Sequence, residues 1–303
     1  MRPFAMRWRL SAWLVAGCAV AVLAGCGSPV LPGDRTAARR WGEAREMCRI
    51  TDRRVRESSG VTAGRRATDS FFTHNDSGNG EEIFRFNRQG KVTGVWRVRG
   101  VTNRDWEDLG SFERDGKPWL VIADIGDNRA RRTTIELLTF LEPNDPRYPL
   151  GQVQRYAFKY PDKPHNAEAL LMHPTTGEFH VVTKTGSAPA GVYAGELGTP
   201  GRTQTLRKIG EIELTGFLAE AKRITGGAVS PDGQHVALRT YLGAYEFDVD
   251  RKFANWLKSS PRKVPLKFDL QGEGITYRAD GKGLVTSAEL VPCVVNEILL
   301  ENP

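Results

Sequence analysis

Little in this 303-residue sequence points to zinc, nucleotide or nucleic-acid chemistry. Its five histidines (His74, His165, His173, His180, His235) never fall at i, i+4 or in a Cys/His pattern, which removes the common zinc motifs. No glycine-rich phosphate loop, dinucleotide fingerprint or nucleophile elbow is present. Lys/Arg blocks interleaved with aromatics are missing too, so nucleic acid is not an expected partner. Cysteines number only four, and helical periodicity is scarce. The apolar stretch from Leu10 to Leu23 is too short for a comfortable membrane span.

That stretch reads as the core of an export signal. Arg2, Arg7 and Arg9 form a basic start, and Leu23-Ala24-Gly25 sets small residues before Cys26. A cysteine in this setting resembles the lipobox of bacterial lipoproteins. The resemblance implies cleavage after Gly25, lipidation of Cys26 (palmitate included), and an extracytoplasmic protein anchored in the cell envelope. Residues 1–25 are thus the signal peptide, 26–44 a Gly/Pro-rich tether, and 45–303 the folded domain. Losing the three arginines takes the formal net charge from +7 to +4.

Two cysteines remain in the domain, Cys48 and Cys293, near its opposite ends and in a compartment where disulfides persist. A bridge between them is expected. It would close a loop of 245 residues, worth roughly 5 kcal/mol at most in the chain-entropy view. It also requires the two ends of the domain to meet.

Many turn signals and short β-forming runs predict an all-β fold, and a long period organises them. Inner-strand starts recur at Ser58, Glu107, Glu168, Thr225 and Glu273, spaced 49, 61, 57 and 48 residues apart. Each start is followed by a second run (SFFTHND, WLVIADIGD, FHVVTKTG, HVALRTY, LVTSAEL) and a third (EIFRF, IELLTF, GVYAGEL, AYEFDV, CVVNEI). Four of the five have a fourth run, and the spare N-terminal segment from Met47 to Val55 supplies the one missing from the last unit. The reading is a five-bladed β-propeller closed by its N-terminal strand, with six blades as the alternative; closure protects the sheet edges. TGFLAEAKR, from Thr215 to Arg223, suggests a turn or two of helix between strands.

Aligned in this way, the starts converge near one axis and bring Glu107, Glu168 and Glu273 together. Like charges about 5–6 Å apart cost about 3 kcal/mol per pair at an effective dielectric near 20. Such a site holds water, raises a pKa, binds a cation, or pairs with Lys or Arg from the channel wall. Oxygen-only ligands favour a hard cation, Ca²⁺ before Mg²⁺. The same face collects His74, Asn75 and Asp76 from blade 1, and Asp105, Asp108, Asp124, Asp127 and Asn128 from blade 2. Blade 3 adds His165, Asn166 and Lys184, and blade 4 adds Arg239 and Tyr241. His74 and His165 are acid–base candidates, and Arg131 is positioned in sequence to meet an anionic ligand.

The ordered set NDSG, DWEDL, DIGDN, NAEAL, SPDG with RTY, and EGIT resembles a group of exported bacterial β-propeller proteins, often lipoproteins. More distantly it is similar to phytase-like and gluconolactonase-like propellers, which implies a central divalent metal; only the strand-start glutamate has a counterpart here. The resulting expectation is a monomeric, membrane-anchored propeller that binds a small-molecule or protein ligand near a divalent cation. A metal-dependent hydrolase of a phosphoester or lactone, with Arg131 or Arg239 holding an anionic group, and a glycoside hydrolase are the alternatives. Expressed in a bacterial host, the chain is expected to incorporate labelled palmitate, and Cys26→Ser to abolish that incorporation; label retained in the variant would refute lipidation at Cys26.

Overall fold

A computed structural model describes residues 39–187, 189–214 and 218–301; the expected signal peptide, Cys26 and most of the tether lie outside the described residues. Strand β1 (Arg45–Ile50) comes first. Blade 1 follows with β2 (Ser58–Ala63), β3 (Ser70–Asn75), β4 (Glu82–Asn87) and β5 (Val92–Arg97). Blade 2 contains β6 (Trp106–Arg114), β7 (Lys117–Asp124), β8 (Ile135–Leu141) and β9 (Gln154–Lys159). Blade 3 contains β10 (Ala167–Met172), β11 (Glu178–Thr183) and β12 (Ala190–Glu196). A short β13 (Gln204–Thr205) leaves it to pair with β9 before β14 (Arg207–Ile212) completes it. Blade 4 is β15 (Ile224–Val229), β16 (His235–Thr240), β17 (Ala244–Asp248) and β18 (Arg262–Val264); blade 5 is β19 (Gly272–Tyr277), β20 (Gly283–Ala288) and β21 (Cys293–Leu299). The expected helical segment contributes, among the described residues, one 3₁₀ turn at Ala219–Ala221.

The sheets form a five-bladed β-propeller closed by β1. Each blade runs outward from its inner strand, and β1 pairs antiparallel with β21 as the fourth strand of blade 5. Five apolar clusters lie one between each pair of neighbouring blades, the last joining blade 5 to blade 1. Strand alternation produces this directly: Phe71 packs toward blade 5 while its neighbour Phe72 packs toward blade 2.

Cys48 and Cys293, the expected bridge partners, lie on adjacent strands, and both are buried free thiols in this structure. Cys48 faces Val295 and Cys293 faces Ile50, so the two thiols stand in a diagonal relation across the β1–β21 pair.

Inner strands meet closely at points along the axis, where only glycine fits. A Cβ at Gly60 would strike the Asp108–Leu109 backbone, and one at Gly226 the Glu273 carbonyl. Asp108 is a polar side chain buried there. Its Oδ1 accepts the Leu109 amide at 2.8 Å, and its Oδ2 accepts those of Leu170 at 2.8 Å and Gly227 at 3.1 Å. One carboxylate therefore ties the inner strands of blades 2, 3 and 4. Burial raises its pKa well above the ordinary range, and the three amides oppose that rise. Asp108→Ala leaves three buried donors without an acceptor and is expected to lower stability by about 3 kcal/mol or more. Urea unfolding measures this, and an unchanged midpoint would mean the amides find other partners.

Candidate functional site

All five inner strands carry a register break at the end where they begin. A bulge re-aims the extra residue, and here the re-aimed residues surround the mouth of the channel. Glu107, Glu168, Thr225 and Glu273 occupy equivalent positions, as expected. In blade 1 the register puts Ser59 there rather than Ser58, because Ser58 pairs with Asn75 as Trp106 pairs with Asp124. The two hydroxyl members bridge blades: Ser59 Oγ donates to the Glu107 carbonyl at 2.8 Å and Thr225 Oγ1 to the Gly272 carbonyl at 2.9 Å.

A second set follows the ends of the second strands: Asp76, Lys184, Tyr241 and Glu289. Lys184 is central among them. Its Nζ lies 2.5 Å from Glu168 Oε2, donates to Tyr241 Oη at 2.8 Å, and sits 4.9 Å from the centre of the Tyr241 ring. Across the mouth, Asp76, Asp105 and Glu107 place carboxylate oxygens within 4.8 Å of one another. This trio shares only Glu107 with the expected set of Glu107, Glu168 and Glu273; Glu168 faces the lysine instead. Gly126 of the DIGDN motif permits the approach, since a Cβ there would land on the Glu107 and Asp105 carboxylates.

The electrostatics follow from burial and crowding. Burial raises Asp76 and Asp105. Glu107 rises well above its usual range through burial, then through Glu168, Asp76 and Asp105. Burial pushes Glu168 to about 7 even though Lys184 pulls it down. Burial and Glu168 push Glu273 to about 8, and burial with Asp76 and Glu57 takes Glu289 to about 7. Burial lowers Lys184, but Glu168 and Glu273 more than reverse this and hold it above the ordinary lysine range.

Several expected ligand residues serve the fold instead. His74 is fully buried edge-on to Trp106, its Nδ1 lies 3.1 Å from the Asn75 carbonyl, and burial lowers its pKa to about 4, so it stays neutral. Asn75 accepts the amides of Arg56 and Glu57 and donates to the Arg54 carbonyl. Arg239 is buried between blades 4 and 5, donating to the Gly274 and Ser287 carbonyls, both at 2.9 Å. Asp124 is paired with Arg132 at 2.6 Å, and Asp127 accepts the Arg132 amide.

Beside the mouth, Asp127, Asn128, His165, Asn166 and Lys184 line a groove of 560 Å³. There His165 Nε2 lies 3.1 Å from both Asp162 oxygens and 2.8 Å from Tyr193 Oη. Arg131 lines a neighbouring groove of 380 Å³ with Asp105 and Arg129. Sequence reasoning passed over Glu289 and Asp162. A signal for Glu289 exists: Glu168 and Lys184, Thr225 and Tyr241, and Glu273 and Glu289 are each 16 positions apart.

No family model matches the sequence, and no curated protein matches it. Among solved structures, a luciferin-regenerating enzyme is similar at 10% identity and a TM-score of 0.44, over 84% of this chain and 95% of its own. A likeness at that level bears on neither substrate nor mechanism.

Carboxyls held above their unfolded range keep protons that the unfolded chain has released, so stability falls as pH rises from the ordinary glutamate range to about 8. The metal-free chain is expected to unfold at lower urea near pH 8 than near pH 5, and Glu273→Gln to reduce that difference. A wild-type midpoint that rises with pH would show these groups ionised and internally neutralised.

Proposed function

We propose that the chain is an exported, lipid-anchored β-propeller that binds a divalent cation, Ca²⁺ before Mg²⁺, at the mouth of its channel, and a ligand or partner over that mouth. The observation that carries this reading is the imbalance at the mouth. Asp76, Asp105, Glu107, Glu168, Glu273 and Glu289 gather around Lys184, and their pKa values are all pushed upward. A hard cation relieves that strain with oxygen ligands alone. Asp76, Asp105 and Glu107 would hold it, while Lys184 neutralises Glu168 on the other side.

A second reading, a metal-dependent hydrolase of a phosphoester or lactone, draws on one further feature. Glu168, raised to about 7, has the proton affinity a general base needs near neutral pH. A bound cation would supply polarisation of the substrate or of water, and Glu168 would accept the proton, with Lys184 and Tyr241 fixing its position.

The purified chain is expected to contain near-stoichiometric metal by elemental analysis. A chelator should lower its melting temperature by several degrees, Ca²⁺ should restore it, and Asp105→Asn should abolish the response. Absence of metal and of any Ca²⁺-dependent shift would refute the cation site. The hydrolase reading further expects Glu168→Gln to lose turnover of a phosphodiester or lactone while retaining the Ca²⁺ shift; absence of turnover in the wild type would refute it.

A further inference from the structure

The large apolar side chains left in solvent are distributed unevenly. Among the described residues, Leu141 and Tyr148 lie on blade 2, while Leu218, Leu242, Phe268, Leu270, Leu290 and Val291, 42% to 68% exposed, all lie on mouth-side connections leading into or within blades 4 and 5. Each of the two blades turns a polar residue toward the mouth and the next residue outward: Tyr241 then Leu242, Glu289 then Leu290. The loop before β19 is pinned. Asp269 is bonded to Asn296 Nδ2 at 2.8 Å and to Arg239 Nη2 at 3.3 Å, so its neighbours Phe268 and Leu270 are both presented to solvent. An apolar crescent of this kind, rimmed by polar residues, marks an interaction surface.

On the other side of the mouth the charge is basic. Arg104, Arg129 and Arg131 are exposed along the 380 Å³ groove, and among the described residues no ion pair engages any of them. Much of the remaining surface arginine is paired within the chain, as at Arg45, Arg88, Arg155 and Arg262. The described chain starts on the opposite face, where Arg39 meets the β19–β20 turn and Trp41 bridges Leu300.

We propose that the mouth face docks a polypeptide segment that is both apolar and acidic, its apolar side chains covering the crescent and its carboxylates meeting Arg104, Arg129 and Arg131. This rests on the reading of the mouth face as the binding face, and names its partner. Contacts spread over the loops of several blades suit an extended segment, and the arginine side selects its charge.

The test selects a displayed random-peptide library against the full chain in detergent with Ca²⁺, then measures the enriched peptides by calorimetry. Enriched sequences are expected to combine Leu, Ile or aromatic residues with Asp or Glu. They should bind at least tenfold more weakly to Phe268→Ser/Leu290→Ser and to Arg129→Glu/Arg131→Glu, with reduced salt dependence in the second. These four side chains are exposed, and urea midpoints verify that both variants fold. Enrichment of basic peptides, or none beyond that seen with the serine variant, overturns the proposal. So does binding to phosphatidylglycerol vesicles that the serine variant loses, which assigns the crescent to a membrane. Concentration-dependent dimerisation lost in that variant also overturns it, assigning the crescent to a second copy. Repeating the titration with Asp105→Asn separates the two readings: affinity retained there, with no Ca²⁺ shift in the wild type, removes the cation site and leaves the docking surface.

Discussion

Five inner strands converge on one axis and come into close contact at points along it, and the rest of the structure follows from that crowding. Small residues let the backbones approach, as at Gly60 and Gly226. Asp108, a polar side chain admitted there, is held by amides from three blades. A bulge at the start of every inner strand then breaks the close approach on one side only. The mouth is what opens above those bulges, and its side chains are the residues that the bulges turn inward.

Burial and like charge act together in that mouth. Carboxylates from four blades face Lys184 from the third, and none is far enough into water to shed its neighbours' field. Around this acidic well the rim divides, basic on blade 2 and apolar on blades 4 and 5. A ligand that satisfied one region alone would leave the other two in solvent. The three regions therefore favour a partner of mixed chemistry.

The blade architecture was legible in the sequence because strand periodicity and turn chemistry recur about every 48 to 61 residues, and because a spare N-terminal strand matched a missing C-terminal one. The strand starts at Glu107, Glu168, Thr225 and Glu273 came out in register; Ser58 did not, since a bulge changes which residue turns inward without changing composition. Details that depend on the third dimension were out of reach. His74 and Arg239 look like binding residues by type, but depth decides their role, and both are buried between blades. Cys48 and Cys293 were placed on neighbouring strands, yet a shift of two positions sets them on a diagonal. Asp105 stands two residues from Glu107 in the chain, and only the loop carrying Gly126 brings the two carboxylates together with Asp76.

The pairing of β1 with β21 also sets an order in time. Arg45 finds its partner Glu297 only after some 250 residues have followed it. A chain synthesised N-terminus first must therefore emerge with its opening strand unmatched, and carry that bare edge while four complete blades form behind it. Such late, distant pairing slows folding and prolongs exposure to mispairing. The apolar side chains of β1 and its flank, among them Ile50 and Val55, are buried in the seam between the last blade and the first. That seam would be the final part of the ring to become dry, and truncation near the end of the chain would leave its beginning without a place to fold.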